Sequence, residues 1–224
     1  LALMGMPIGS AFILPFSGWL VGRLGAGTLA ALTGIATAAT AALPAFAVDL
    51  WSLAFTMFLL GFANGAMDVS MNAKGAAIER AAGFNIMSAL HGMYGVGVFL
   101  GSIAGSLFAG LDVPVAVHLP LTTVLAIAAL LAIRAALADR PTGSPSAGEP
   151  LLAFPRGPLW PLAFIVVASF LAEGAAADWS AVYVRTVLDA PPGIAALALV
   201  GFSLGLTLTR FVADPLGERF GELT

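Results

Sequence analysis

A chain of 224 residues that is 60% hydrophobic and 9% charged has too little polar surface to close a soluble globule, so this sequence is that of a membrane protein. Nine basic against twelve acidic residues leave a net charge of −3 with no basic tract or face, which excludes nucleic acid as a partner. The absence of cysteine removes disulfides, thiolate metal sites and cysteine nucleophiles together.

A bilayer core of about 30 Å takes about 20 apolar helical residues, so the stretches between charges measure the spans. Residues 1–22 precede Arg23, residues 24–48 precede Asp49, and residues 50–67 run to Asp68, with helix continuing to Lys74. Residues 81–111 carry only His91 and residues 113–133 only His118. Residues 157–184 are broken by Glu173 and Asp178, and residues 190–209 lie between Asp189 and Arg210. These seven spans, without the short alternating segments of a closed barrel, predict an all-α fold, a polytopic transmembrane helix bundle. Residues 136–158, containing DRPTGSPSAGEP, are the long polar interruption and read as a linker between residues 1–135 and residues 159–224. Leu1 is not a start methionine, and Thr224 falls where another helix would begin, so the chain reads as a fragment.

Orientation follows from the basic residues if each span crosses once. Arg23, Lys74, Arg80, Arg134, Arg140, Arg156, Arg210 and Arg219 fall on one side and Arg185 on the other, which puts the linker in the cytoplasm.

Two segments repeat across the linker. PFSGWLVGRLG at 15–25 ends the first span, and RFVADPLGERFG at 210–221 ends the seventh. Gly25 and Gly221 lie 196 positions apart, the scale of a six-helix half, and parallel six-helix halves are a known transporter architecture. On these residues the sequence resembles the major facilitator superfamily, whose loop signature is roughly G-x-x-x-D-R-x-G. Gly18, Arg23 and Gly25 match it in the first copy, and Arg210, Asp214, Arg219 and Gly221 supply the second. Gly22 stands at the acidic position of the first copy, so that copy lacks the family's charge interlock, whereas Asp214 keeps the acid in the second. The resemblance implies two pseudo-repeated halves joined by a cytoplasmic linker. The chain would then cover helices two to eight of twelve: residues 1–135 hold helices two to six and residues 159–224 helices seven and eight.

Within the superfamily, GFANGAMDVSMNAKG at 61–75, MSALHGMYGVG at 87–97 and AEGAAADWSAVY at 172–183 resemble the fucose-permease-like branch. An acid followed four residues later by Asn, as in Asp68 and Asn72, is similar to that branch's proton-coupling acid. Gly61 stands where many members carry an arginine, and the fourth span, residues 81–111, lacks the Gly-Pro pattern of drug and proton antiporters, so both positions count against drug efflux.

At 100° per residue, Gly61, Asn64, Gly65, Asp68 and Asn72 share an arc of about 100° while Ser70 points away. An ionisable residue inside a span costs about 2.5–3.5 kcal/mol on insertion scales and so faces a bundle interior or a water-filled path. Asp68 is therefore a candidate proton carrier, with Asn64 and Asn72 donating to substrate hydroxyls; the alternative is a polar interhelical contact that fixes packing. His91 sits as far after a turn at Glu79 and Arg80 as Asp68 sits before it, which predicts similar depth and a shared proton. A backbone carbonyl or Ser88 is the competing partner for the imidazole.

In the sixth span Ser169, Glu173 and Ser180 share an arc of about 40°, with Asp178 about 140° away. Glu173 and Ser169 are candidate substrate ligands, and Glu173 a second proton site; the rival for Glu173 is an ion pair with a helix outside the chain. Gly97, Gly101 and Gly105 recur every four residues and predict a helix-packing ladder. No HExxH, Walker A or GxSxG pattern occurs, and the two histidines have no metal-ligand spacing, so neither an enzyme nor a metal or other cofactor is expected. The resemblance implies a secondary transporter of a small polar, sugar-like solute, imported with protons by alternating access. An exporter or proton antiporter is the second reading, and a non-transporting sensor or scaffold the third. It also implies a bacterial inner-membrane protein that works in the lipid bilayer as a monomer when full length.

Overall fold

The structure is a computed structural model that describes residues 2–83, 86–138 and 156–220, the side chains of 213–215 and 217–220 excepted. After a 3-10 turn at Ala2–Met4, seven α-helices follow: α1 (Gly5–Leu24), α2 (Ala26–Ala41), α3 (Leu50–Ala82), α4 (Met87–Gly110), α5 (Val115–Leu137), α6 (Leu159–Thr186) and α7 (Pro192–Phe220). All seven are long and apolar enough to cross a membrane. Apolar side chains cover the helices on every side, as a hydrocarbon solvent demands, so exposure of Trp51, Phe164 or Phe170 is the expected outer surface.

The helix ends have local causes. Gly25, at φ 85°, breaks α1 from α2 with no connecting loop. Asp49 caps α3: the Ser52 N–H donates to Asp49 Oδ1 at 2.7 Å, and the Asp49 N–H donates to Ser52 Oγ at 3.0 Å. Asp112 and Asp189 occupy left-handed turns at φ 54° and 51°, a conformation aspartate tolerates better than most residues. These acids, which limit the spans in sequence, are thus turn residues in their own right. The α3 helix outruns its expected end, passing Glu79 and Arg80 to stop at Ala82, before Gly83 at φ 76°. The turn expected at 79–80 is therefore helix, and α4 begins only at Met87.

Helices α1, α2, α3 and α5 form one compact unit, and α4, α6 and α7 a second. In the first, α1 and α3 run parallel through glycine contacts. A Cβ on Gly61 would land on the Met6 carbonyl oxygen, and one on Gly65 would stand 2.9 Å from Ser10 Cα. Ser10 Oγ donates to the Gly61 carbonyl at 2.9 Å, so this close approach also seats an interhelical hydrogen bond. Phe12 stacks beside Phe58 and Phe62, with ring centroids 6.2 and 6.3 Å apart. Buried Ser70 meets Thr33 of α2 oxygen to oxygen at 3.4 Å, and Thr123 of α5 donates to the Ala38 carbonyl of α2 at 2.9 Å.

In the second unit α4 packs antiparallel on α7. Gly92 lies against Phe211, Gly95 against Thr207 and Gly110 against Gly193, while Ser106 Oγ donates to the Gly193 carbonyl at 2.7 Å. Sequence reasoning placed α4 within residues 1–135, yet its packing partner belongs to residues 159–224. Most of the expected linker, residues 139–155, lies outside the described residues.

Candidate functional site

The polar arc of α3 divides along its length. Gly61 and Gly65 are consumed by contact with α1, whereas Asp68, one turn further on, is exposed and Asn64 and Asn72 are half-buried. Among the described residues the hydrogen bond of Asp68 is the one it accepts at Oδ1 from Asn72 Nδ2, at 3.2 Å. Ser70 points to α2 instead, as the helical wheel predicts. A 33-residue membrane helix thus presents a carboxylate whose partner is an amide on its own helix, with no basic group joined to it among the described residues.

The equal-depth argument for His91 loses its premise. With α3 ending at Ala82 and α4 starting at Met87, Asp68 stands about four turns before its helix end and His91 about one turn after its start. The imidazole Nδ1–H donates to the Met87 carbonyl at 2.9 Å, the backbone partner that the sequence offered as an alternative. Asp68 and His91 belong to different units.

Glu173 sits midway along α6 and does find a base. Arg210 Nη2 of α7 stands 3.7 Å from Glu173 Oε2, with the two side chains 30% and 28% exposed. Glu173 thus has an ion-pair partner within the chain, on α7. What could have found this pair is the need of any intramembrane acid for a nearby base, since Arg185 lies at the far turn, where its Nη1 donates to the Ala190 carbonyl at 2.9 Å. Ser169 is exposed, and the buried Ser180 Oγ has no hydrogen-bond partner among the described residues.

In the first signature segment Gly18 meets nothing among the described residues, and Arg23 lies over the Trp19 ring, 5.2 Å from its centroid. With Gly22 at the acidic position, a ring face takes the place of a carboxylate beside the guanidinium. The side chains of Asp214 and Arg219, and all of Gly221, lie outside the described residues. Gly97, Gly101 and Gly105 meet nothing among the described residues. The glycines that do pack α4, Gly92, Gly95 and Gly110, lie outside the regular four-residue period, which marks the other face.

The whole chain, residues 1–224, matches the family described as Major Facilitator Superfamily. It is 34% identical over 222 residues to the uncharacterised transporter y4wD of Sinorhizobium fredii, covering 99% of this chain and 59% of that protein. It is 31% identical over 224 residues to an uncharacterised MFS-type transporter of Yersinia pestis, covering 99% and 57%. A membrane protein of Rhizobium meliloti, MosC, is 30% identical over 170 residues, covering 74% and 40%. The chain therefore spans less than two thirds of the length of these curated relatives, and no solved structure matches it significantly. With seven membrane-length helices and a match over its full length, this chain is an integral membrane protein that belongs to the major facilitator superfamily.

Proposed function

We propose that the full-length protein is a secondary transporter that carries a small polar, sugar-like solute together with protons, by rocking two six-helix halves about a midplane site. The observation that carries this reading is Asp68, a carboxylate exposed on a membrane helix and bonded only to Asn72 among the described residues. A charge left so in a span is retained at a cost, and binding and releasing a proton is the use that fits a water-filled path. Asn64 and Asn72 line the same stretch and offer amides to solute hydroxyls. His91, whose Nδ1–H donates to the Met87 carbonyl, leaves its other nitrogen as an acceptor for a proton, and Ser169, one helical turn before Glu173, adds a hydroxyl. The resemblance of residues 61–75 to the fucose-permease-like branch supports the choice of solute and of import, and the basic-residue count supports a cytoplasmic linker in a bacterial inner membrane.

The test uses cells expressing the full-length protein in weakly buffered medium, recording external pH as single sugars and polyols are added. Import with protons alkalinises the medium, and Asp68→Asn abolishes both that signal and uphill accumulation while sparing exchange. Accumulation that survives in Asp68→Asn sinks the assignment of Asp68, and acidification instead of alkalinisation replaces import by antiport.

A further inference from the structure

We propose that the end of the α4–α7 pair formed by Gly110 and Gly193 carries a docking groove for phosphatidylethanolamine, with an acyl chain lying between the two helices and the primary ammonium of the headgroup resting on Asp112. The groove is separate from the acids assigned to transport, so it stands or falls independently of the solute and the coupling ion.

The groove comes from the way the two helices meet. A Cβ on Gly193 would stand 3.0 Å from Gly110 Cα, and Ser106 Oγ donates to the Gly193 carbonyl at 2.7 Å. Beside this close contact the surface opens into a groove of about 520 Å³, walled by Leu107 and Leu111 of α4 and by Ile194 and Leu197 of α7. That volume falls within the range of about 300–1,000 Å³ that small-molecule sites occupy. The Ser106 hydroxyl in its floor already donates to backbone, and Pro191 and Pro192 at one lip have no N–H to offer. The interior therefore suits hydrocarbon and not a sugar-like solute.

Its direction and depth follow from the helices. At 100° per residue Met93, Leu100, Leu107 and Leu111 share an arc of about 40° on α4, opposite His91, and all four are exposed. On α7 Ile194 and Leu197 lie about 140–160° from Arg210. The groove thus opens on the side turned away from the titratable groups, where the apolar surface of a membrane helix meets acyl chains. The 24 residues of α4 span about 36 Å against a hydrocarbon core of about 30 Å, so Leu107 stays among the chains while Asp112, past the helix end, reaches the headgroups.

Charge then selects the headgroup. Asp112 is exposed at the α4 lip, and among the described residues its carboxylate has no hydrogen-bond or ion-pair partner. Beside the other lip the exposed Arg185 gives Nη1 to the Ala190 carbonyl and keeps further N–H donors for a phosphate. An acid at one lip and a base at the other fit a zwitterion, and exposed Asp189, a second acid at this end, disfavours an anionic lipid. A primary ammonium donates hydrogen bonds to a carboxylate, whereas the trimethylammonium of phosphatidylcholine has no N–H to donate. Phosphatidylethanolamine is the bilayer lipid that meets both conditions.

The experiment takes the full-length protein in detergent micelles, with phosphatidylethanolamine carrying a photoreactive diazirine in one acyl chain as the probe. Unlabelled phosphatidylethanolamine, phosphatidylcholine and phosphatidylglycerol of the same chains are the competitors, and cross-links are mapped by peptide mass spectrometry. Labels are expected on residues 106–112 and 191–197. Phosphatidylethanolamine should displace the probe there about two- to fivefold better than phosphatidylcholine, the margin that one exposed ion pair supplies. Asp112→Asn removes the charge but keeps a residue that tolerates the left-handed turn, so it should label at the same positions with that margin gone. Ile194→Trp fills the groove and should abolish labelling of these segments, with a cooperative melt retained as evidence of folding.

Labels confined to other surfaces overturn the proposal, since the groove would then be covered by a helix beyond these 224 residues. A margin that persists in Asp112→Asn overturns it too, as does phosphatidylglycerol that competes as well as phosphatidylethanolamine. If Ile194→Trp does not fold, the label map and the Asp112→Asn comparison decide alone.

Discussion

At the scale of single residues, Asp49 is held in its charged form by the cap it makes at the start of α3. The Ser52 N–H, then the Ser52 hydroxyl, hold its carboxyl below the ordinary aspartate value, and slight desolvation opposes them. A carboxyl with a lowered folded-state pKa contributes stability that is present above its unfolded pKa and fades as pH falls through the folded one. The start of α3 should therefore fray on acidification: the protection of amides 50–53 in lipid nanodiscs, corrected for the intrinsic pH dependence of exchange, falls in the wild type as pH drops through the folded-state value of Asp49. Asp49→Ala frays at every pH, whereas Asp49→Asn caps without the pH dependence. Equal exchange in Asp49→Ala and wild type at neutral pH would show that the cap does not hold this helix. Arg23 allows a similar single-residue test. Its cation–π contact with Trp19 is worth about 0.5–1 kcal/mol at an exposed site, so Trp19→Leu should lower the melting free energy by no more than that, and Gly22→Asp, which restores the acid of the family pattern, should offset the loss. If Gly22→Asp destabilises instead, the carboxylate has no room in this turn.

At the scale of helices, hydropathy made the spans legible, because the bilayer imposes one length on all of them and charges cluster at the turns. Asp49, Asp112 and Asp189 mark true limits for that reason. Glu79 and Arg80 mislead, since a helix already satisfied by its own backbone runs on into the polar boundary until Gly83 offers a positive φ. What hydropathy does not encode is which small-residue face meets which neighbour: α4 has glycines on two faces, and the one used here is Gly92 and Gly95. Substitution discriminates the faces by sign. A Cβ at Gly95 would strike Thr207 Oγ1 and one at Gly92 would stand 2.9 Å from the Phe211 ring, so Gly95→Ala should lower stability by about 1–3 kcal/mol through overpacking. At Gly97 the described residues leave open space, and Gly97→Ala on its own would gain up to about 1 kcal/mol of helix propensity. The ladder of Gly97, Gly101 and Gly105 is proposed to receive helices beyond these 224 residues. On that proposal Gly97→Ala lowers the melting temperature of the full-length protein, and a rise would leave the ladder without a partner.

At the scale of the molecule, the candidate site was legible as a set of intramembrane acids and illegible as a set of partners. Asp68 and Glu173 stand out in sequence because charge in a span is rare, but whether each is paired depends on helix rotation and reach, which no periodicity supplies. Glu173 proves to be held by Arg210, and Asp68 by an amide of its own helix. The same contrast governs what residues 1–224 can do unaided. Helices α5 and α6 bury none of their described residues, and the curated relatives are longer than this chain by well over half its length. Alternating access needs a path closed on one side at a time, and closing it takes both walls of a cavity. Residues 1–224 reconstituted alone in liposomes should therefore show no saturable solute uptake, while the full-length protein does. Mixing the 224-residue piece with the remaining segment should restore part of the flux, because most helix packing in a bilayer forms after insertion and does not require an unbroken chain. Specific uptake by the piece alone would mean that α1 to α7 already enclose a complete path, and the two-half mechanism would have to be abandoned.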